Sequence, residues 1–311
     1  MEPILIVGTG ALATLFAARL SAAGVGVTML GTWQAGLEAL REEGARLVGL
    51  DGVEYAYPVR ATDDPAECRG ARLALVLVKG WQTERAARQL SACLDEDGLA
   101  LTLQNGLGNR EILVGNLGSR RVSLGVTTTG ATLLGPGLVR LGGEGAISLE
   151  EHLRLEPVEA MLRSAGFTVN VVEDVRSLVW GKLVVNAAIN PLTALLRVPN
   201  GELLQRPTAL SLMDKLASEA AEVARALGVD LPFESPGSAA EEVARQTAAN
   251  RSSMLQDVLR GAPTEIDAIC GAIVRAGEAA GVSTPVNRVM WELVKALHDP
   301  LSAGLSPAVS R

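Results

Sequence analysis

Residues 4–24, ILIVGTGALATLFAARLSAAG, run from a short apolar block through a glycine pair into apolar positions at helical spacing. The pattern predicts a buried strand, a tight turn and a helix with Leu12, Leu15, Phe16 and Leu20 on one face before Gly24. VGVTML predicts a second strand, and LALVLV, LALTL and RVSLGV predict three more. From about Asp174 the spacing turns helical. Leu212, Leu216, Ala220, Val223 and Leu227 form one stripe, closed by Gly228. Another helix is expected from TEID, with Thr264 as its cap, Asp267 three residues on, and Ile266, Ile269 and Ile273 facing inward before Gly281. A last helix is expected after STP, with Thr284 as cap, Pro285 in the first turn, and a stripe through Val289, Leu293 and Leu297. LPFESPGS, residues 231–238, reads as a loop between helices, and DPLSAGLSPAVSR as an irregular tail. There is no internal repeat. An α/β half covering 1–173 is therefore expected to precede an all-helical half covering 174–311.

With 311 residues and 48% hydrophobic content, the chain can build one large or two medium cores. Its formal charge of -7 and lack of a Lys/Arg cluster speak against a nucleic-acid partner, whose backbone demands concentrated positive charge. No basic segment precedes a long apolar run at the start, and later apolar stretches break short of bilayer length, so the expectation is a cytoplasmic chain without a membrane span. Cys68, Cys93 and Cys270 are odd in number and far apart, which gives neither a disulfide framework nor a zinc site. His152 and His298 form no dyad, triad or metal cluster, so no metal is expected and a proton donor is sought elsewhere.

In GTGALA, Gly8 and Gly10 permit a sharp turn and close approach of the backbone to a pyrophosphate, with Thr9 between them and Ala11 and Leu12 opening the helix. Ala13 occupies the helix-packing position where the fingerprint takes Gly or Ala. A glycine turn without a ligand is the plainer reading of these residues alone. The strand before it, the helix and second strand after it, and the position at the chain start together favour a Rossmann-type dinucleotide-binding domain. The segment after the second strand, MLGTWQ, lacks the carboxylate that holds the ribose hydroxyls of NAD, which leans towards NADP. It also lacks an arginine for a 2'-phosphate; Thr32 stands there, and Lys79 after LALVLV is the nearest cation. QNGLGN follows LALTL, where a switch-point loop would meet the cofactor, so Asn105 would face the nicotinamide side; by itself Asn105-Gly106 reads as an ordinary turn.

WGKLVVNAAIN, residues 180–190, sets Lys182, Asn186 and Asn190 four apart inside an apolar segment. On a helix such residues differ by about 40° in azimuth and form one polar stripe. Pro191 is expected to bend or interrupt that helix. Either the lysine reaches water and the amides cross-link helices, or the stripe lines a cleft that receives a polar substrate.

GTGALA, VKGWQT, LQNGLGN, GVTTTGA, WGKLVVNAAINPLTAL, VPNGEL, NRSSMLQD and PTEIDAICG, in that order and with a twelve-residue step from Ser253 to Glu265, resemble the successive motifs of the ketopantoate reductase family over nearly the whole chain. The resemblance implies NADPH-dependent reduction of 2-dehydropantoate to pantoate, on the route to pantothenate and coenzyme A, with the substrate between the two domains. By that resemblance Lys182 is the general acid, an ammonium that donates a proton and offsets alkoxide charge. Asn105, Asn186, Asn190, Asn200 and Ser253 match substrate-binding positions. Gly8, Thr9, Gly10, Ala11, Leu12, Ala13, Thr32, Lys79, Asn105 and Ala131 match cofactor-binding positions, and Glu265 matches a carboxylate beside both the cofactor ribose and the lysine. The sequence departs from the family pattern at Thr32, where arginine is frequent, at Thr129, where histidine is frequent, and at Cys270, where asparagine is common. A related reductase for another 2-oxo acid and a non-catalytic dinucleotide sensor stay open as alternatives, as does a homodimer.

Overall fold

The computed structural model describes residues 3–49 and 51–297; His298 and the DPLSAGLSPAVSR tail lie outside the described residues. The chain divides into two compact units at the Val179–Trp180 link.

The first unit begins β1 (Ile4–Val7), α1 (Ala11–Ala22), β2 (Val27–Leu30), α2 (Gln34–Glu42), β3 (Ala45–Val48), β4 (Glu54–Tyr57) and β5 (Arg60–Thr62). It continues through β6 (Ala71–Val76), α3 (Thr83–Cys93), β7 (Leu94–Thr102), α4 (Asn109–Leu117) and β8 (Val122–Thr127). β9 (Gly130–Gly135), β10 (Leu138–Gly143), β11 (Ala146–Glu150), α5 (Glu156–Ser164) and β12 (Thr168–Val172) complete it.

Eight of these strands form one sheet in the order β12-β11-β8-β7-β6-β1-β2-β5. β1 lies between β2 and β6, parallel to both, with Leu5 level with Thr28 and Ala74. The chain builds outward from β1 to β2 and β5, then crosses back to β6, β7 and β8, which makes the C-terminal end of β1 and β6 the topological switch point. β1 is apolar on both faces because both are covered. Ile4 and Ile6 pack in one cluster with Phe16 and Leu20 of α1; Leu5 and Val7 pack in the other with Ala87 and Leu90 of α3.

A second sheet, β4-β3-β10-β9, has no counterpart in the sequence reading. Leu15 of α1 packs against Val139 and Leu141 of β10, so the predicted single apolar face of α1 is divided between two sheets. Helix α1 is sandwiched, which is why its apolar residues extend round more than one face.

Helix α6 (Val175–Leu196) crosses the link between units, and α7 (Pro207–Ala226), α8 (Pro236–Gln246), α9 (Ser253–Leu259), α10 (Cys270–Ala280) and α11 (Pro285–Ala296) follow it. Helix α6 runs on through Pro191, so of the expected bend or interruption the interruption does not occur. Leu192, Thr193 and Ala194 beyond the proline are buried, so packing sustains the helix there, while the Thr193 hydroxyl donates back to the carbonyls of Ile189 and Asn190. It is also long and apolar enough to cross a bilayer, with 22 residues and a mean hydropathy of 1.3 over an 18-residue window, against the expectation that apolar stretches break short of bilayer length; 67% of that window is buried, as in a core helix.

Other expectations shift by part of a turn. Residues 266–269 form a turn rather than a helix, so Thr264 caps nothing and α10 starts at Cys270, although Ile266, Ile269 and Ile273 are buried and Gly281 ends the helix in the left-handed region as expected. In α7 the buried stripe includes Met213, Leu216 and Ala220, while Leu227 is exposed past the helix end and Val229 packs inward instead. Helix α8 begins at Pro236, capped by Ser235, so the loop ends three residues earlier than read. In α11 the apolar positions Val289, Leu293 and Leu297 are exposed, and Asn287, Met290 and Val294 face inward. Asn287 takes the core side because Glu219 of α7 binds it there, a partner that helical periodicity does not show. Thr284 sits at the cap position without a side-chain bond, since the Glu219 carboxylate receives the Val286 and Asn287 amides.

Candidate functional site

The predicted dinucleotide residues gather at the C-terminal edge of the large sheet. Gly8 has φ +132°, and a Cβ there would lie 3.1 Å from the Leu77 carbonyl carbon and oxygen. Only glycine lets the turn pass that close to the end of β6. Thr9 is buried against Gly31, whose own Cβ would come within 2.6 Å of Thr9 Cγ2. Gly10 is the N-cap of α1 and offers no capping side chain, and nothing lies within 4 Å of where its Cβ would be. Ala11 and Leu12 are partly buried and Ala13 is fully buried, so the helix start is packed below and open at Gly10. This open backbone cradle fits a pyrophosphate.

Four neighbouring loops share the edge. Thr32 is exposed after β2. MLGTWQ has no carboxylate, but the fold supplies one: Asp63, next after β5, accepts hydrogen bonds from Gln34 Nε2 at 3.0 Å and from Arg41 at 3.4 Å. The Gln34 bond, with Arg41 nearby, holds the Asp63 carboxyl below its ordinary range. Lys79 after β6, Asn105 after β7 and Ala131 in β9 are all partly buried.

Gln104 clamps two of these loops together. Its Nε2 donates to the Val78 carbonyl at 2.9 Å and to Thr83 Oγ1 at 2.8 Å, and its Oε1 accepts from Thr102. Thr83 passes its own proton to Asn109 Oδ1, and Asn109 Nδ2 donates to the Asn105 carbonyl at 2.9 Å. Lys79 and Asn105 therefore stand on loops braced through Gln104 and Asn109. Gln104 and Asn109 both lie inside LQNGLGN, but their bracing role depends on β6 and β7 being neighbours, which the motif itself does not show.

A second constellation lies in the helical unit. Lys182 and Asn186 are partly buried on α6, and Asn190 is 7% exposed. Burial pushes the Lys182 ammonium down to about 8, against the opposing pull of the Glu265 charge. Glu265 is itself only 6% exposed. The lysine and the carboxylate are thus within electrostatic reach although 83 residues separate them in sequence.

The segment 247–253 fixes the remaining candidates. Asn200 Nδ2 donates to Thr247 Oγ1 at 2.8 Å, while its Oδ1 is buried without a protein partner among the described residues. Ser253 opens α9, whose cap is Ser252. Ser252 and Thr193 hydroxyls meet at 2.7 Å, and neither was singled out from sequence.

The three departures are accommodated locally. Thr129 is buried and donates to the Gly145 carbonyl at 3.3 Å. Cys270 is fully buried and burial drives its thiol far up. Cys68 and Cys93 are also free and buried. His152 Nδ1 accepts the Arg154 amide at 3.1 Å, a local turn contact. Among the described residues no group of three or more His, Cys, Asp or Glu could hold a metal ion.

The family described as ketopantoate reductase PanE/ApbA matches residues 4–154, and its C-terminal domain matches residues 174–298. A protein of Archaeoglobus fulgidus named 2-dehydropantoate 2-reductase is 38% identical over 306 residues, 97% of this chain and 99% of its own. One of the same name from Halobacterium salinarum is 35% identical over 94% of this chain and 97% of its own. Among solved structures, a PanE/ApbA family ketopantoate reductase from Ralstonia eutropha JMP134 superposes with TM-score 0.89 at 32% identity, covering 96% of this chain and 98% of that one. D-mandelate dehydrogenase, solved with NADH and anilino(oxo)acetate, superposes with TM-score 0.89 at 26% identity over 96% of this chain and 98% of its own. With both family regions matched and relatives aligned nearly end to end, the chain belongs to the ketopantoate reductase family of nicotinamide-dependent oxidoreductases.

Proposed function

We propose that this protein reduces 2-dehydropantoate to pantoate with NADPH, Lys182 supplying the proton. The carrying observation is a partly buried lysine whose pKa falls to about 8, on one stripe with Asn186 and Asn190 and within reach of the Glu265 charge. About one pH unit below that value the side chain is still roughly 90% protonated, so near neutrality it is an acid ready to give up its proton. A bound nicotinamide dinucleotide would supply the hydride to the carbonyl carbon. Lys182 Nζ donates to the carbonyl oxygen, so the C=O becomes CH–OH and the amine is left neutral. Before transfer the ammonium polarises the carbonyl. Asn186, Asn190 and Asn200 orient the substrate with neutral groups that do not compete for the proton, and the buried, unpartnered Asn200 Oδ1 suits a substrate hydroxyl. Ser253 donates to the substrate carboxylate.

The cradle at Gly8 and Gly10 would hold the pyrophosphate, with Ala11, Leu12 and Ala13 behind it and Lys79, Asn105 and Ala131 around it. Asp63 is engaged by Gln34 and Arg41, which limits its use as a ribose ligand and supports the choice of NADPH. A second reading, a reductase of another 2-oxo acid, draws on the likeness to D-mandelate dehydrogenase and on Thr129. The test is the initial rate of reduced-nicotinamide oxidation with 2-dehydropantoate and a panel of 2-oxo acids, using NADPH and NADH in parallel. Rapid NADPH loss with 2-dehydropantoate, abolished in Lys182→Ala while the dinucleotide still binds, is the expected result; a higher kcat/KM on another acid would transfer the assignment to the second reading.

A further inference from the structure

We infer that the N-terminal edge of the large sheet carries a second binding site, for a small organic phosphate. A cavity of about 1150 Å³ opens there, at the sheet edge opposite the glycine turn, and Arg72, Arg120, Arg121 and Arg154 line it. They come from the start of β6, the turn before β8 and the turn before α5, so three separate segments bring positive charge to one place.

Two of the guanidinium groups are held in position by backbone. Arg121 donates to the carbonyls of Leu94 at 3.0 Å and Asp95 at 2.6 Å, and Arg154 donates to those of Arg120 and Asp97. No carboxylate among the described residues lies within ion-pair distance of Arg120, Arg121 or Arg154. Arg121 Nε is buried with no partner, an arrangement that costs stability unless a ligand or solvent supplies an acceptor. Glu96 and Asp97 also line the cavity, so four cations face two carboxylates and two positive charges remain in excess, the complement of a phosphate dianion.

The remaining wall is apolar, with Leu73, Leu99 and Met161 reaching it from the core. A cationic rim with two of its four groups fixed, above an apolar floor and at a volume that accommodates a small molecule, matches an organic phosphate better than a free one. Because the glycine turn lies at the other edge, both sites can be filled together.

The experiment is calorimetric titration of the protein, saturated with NADP+, with 1-naphthyl phosphate and separately with inorganic phosphate. The expected result is binding of 1-naphthyl phosphate about tenfold tighter than inorganic phosphate, weakened about tenfold or more in Arg72→Glu/Arg120→Glu. Both substituted residues are exposed, and circular dichroism checks the variant's fold. Absence of binding with NADP+ present, affinity unchanged in the variant, or equal affinity for the two phosphates would each overturn the inference.

Discussion

Thr193 Oγ1 and Ser252 Oγ lie 2.7 Å apart, joining the last turn of α6 to the cap of α9, the helix that begins with Ser253. The direction of the chain follows from counting protons. Ser252 Oγ accepts the Leu255 amide at 3.0 Å, which leaves its own proton for Thr193. The Thr193 proton then goes to the carbonyls of Asn190 at 2.9 Å and Ile189 at 3.1 Å. Two proposed substrate residues, Asn190 and Ser253, are thereby held by one buried pair of hydroxyls.

Thr193→Val keeps the shape of that side chain and removes its hydroxyl, leaving the Ser252 proton without its acceptor. Stability should fall by about 1–3 kcal/mol, read from denaturant unfolding. If the pair positions Asn190 and Ser253, KM for the oxo acid should also rise about tenfold, with recovery in Thr193→Ser. A lower unfolding midpoint with unchanged KM would reduce the pair to a packing role.

The lowered Lys182 pKa has a definite sign in the pH profile. Burial disfavours the ammonium, so the proton leaves at about pH 8 rather than at the ordinary lysine value of 10.5. Reduction needs the protonated form, and kcat/KM should therefore be level near neutrality and decline as pH rises through about 8. The Glu265 charge raises the lysine pKa, so Glu265→Gln should move the decline to lower pH. A break that stays in place in that variant would separate Glu265 from the acid.

Gly8→Ala tests the turn itself. The backbone is at φ +132°, and the added methyl would meet the Leu77 carbonyl, part of a central strand's end that cannot swing aside as a flexible side chain could. Strain of about 1–3 kcal/mol is expected, together with loss of dinucleotide binding measured by fluorescence quenching. Gly10→Ala meets no atom within 4 Å, so any loss of binding there would come from collision with the ligand.

These cases mark what was legible in the chain. The apolar runs flanking GTGALA show strand, turn and helix because local pattern alone decides them, and the four-residue spacing of Lys182, Asn186 and Asn190 shows the polar stripe for the same reason. Glu265 was reached only through resemblance, since no local pattern links it to a lysine 83 positions earlier. Gln104, Asp63 and the Thr193–Ser252 pair depend on which strands and helices become neighbours, and periodicity carries no such information. Val289, Leu293 and Leu297 mark the run of the last helix because they are apolar at helical spacing, yet they are exposed and the helix turns Asn287 inward.

That last orientation is set by Glu219. Its carboxylate accepts the backbone amides of Val286 at 2.8 Å and Asn287 at 2.9 Å, and also Asn287 Nδ2 at 2.9 Å. A negative charge from a neighbouring helix thus satisfies helix-start amides that the Thr284 hydroxyl leaves unbonded, and complements the positive end of the helix dipole. Glu219→Ala should cost about 1–3 kcal/mol, because it frees two part-buried amides and the buried Asn287 side chain at once. Glu219→Gln can still accept through its single carbonyl oxygen and should cost less. Lys182 chemistry is not involved, so the pH break at about 8 should persist in whatever fraction remains folded. Equal stability of both variants and the parent in urea would show that water satisfies the helix start as well as the carboxylate does.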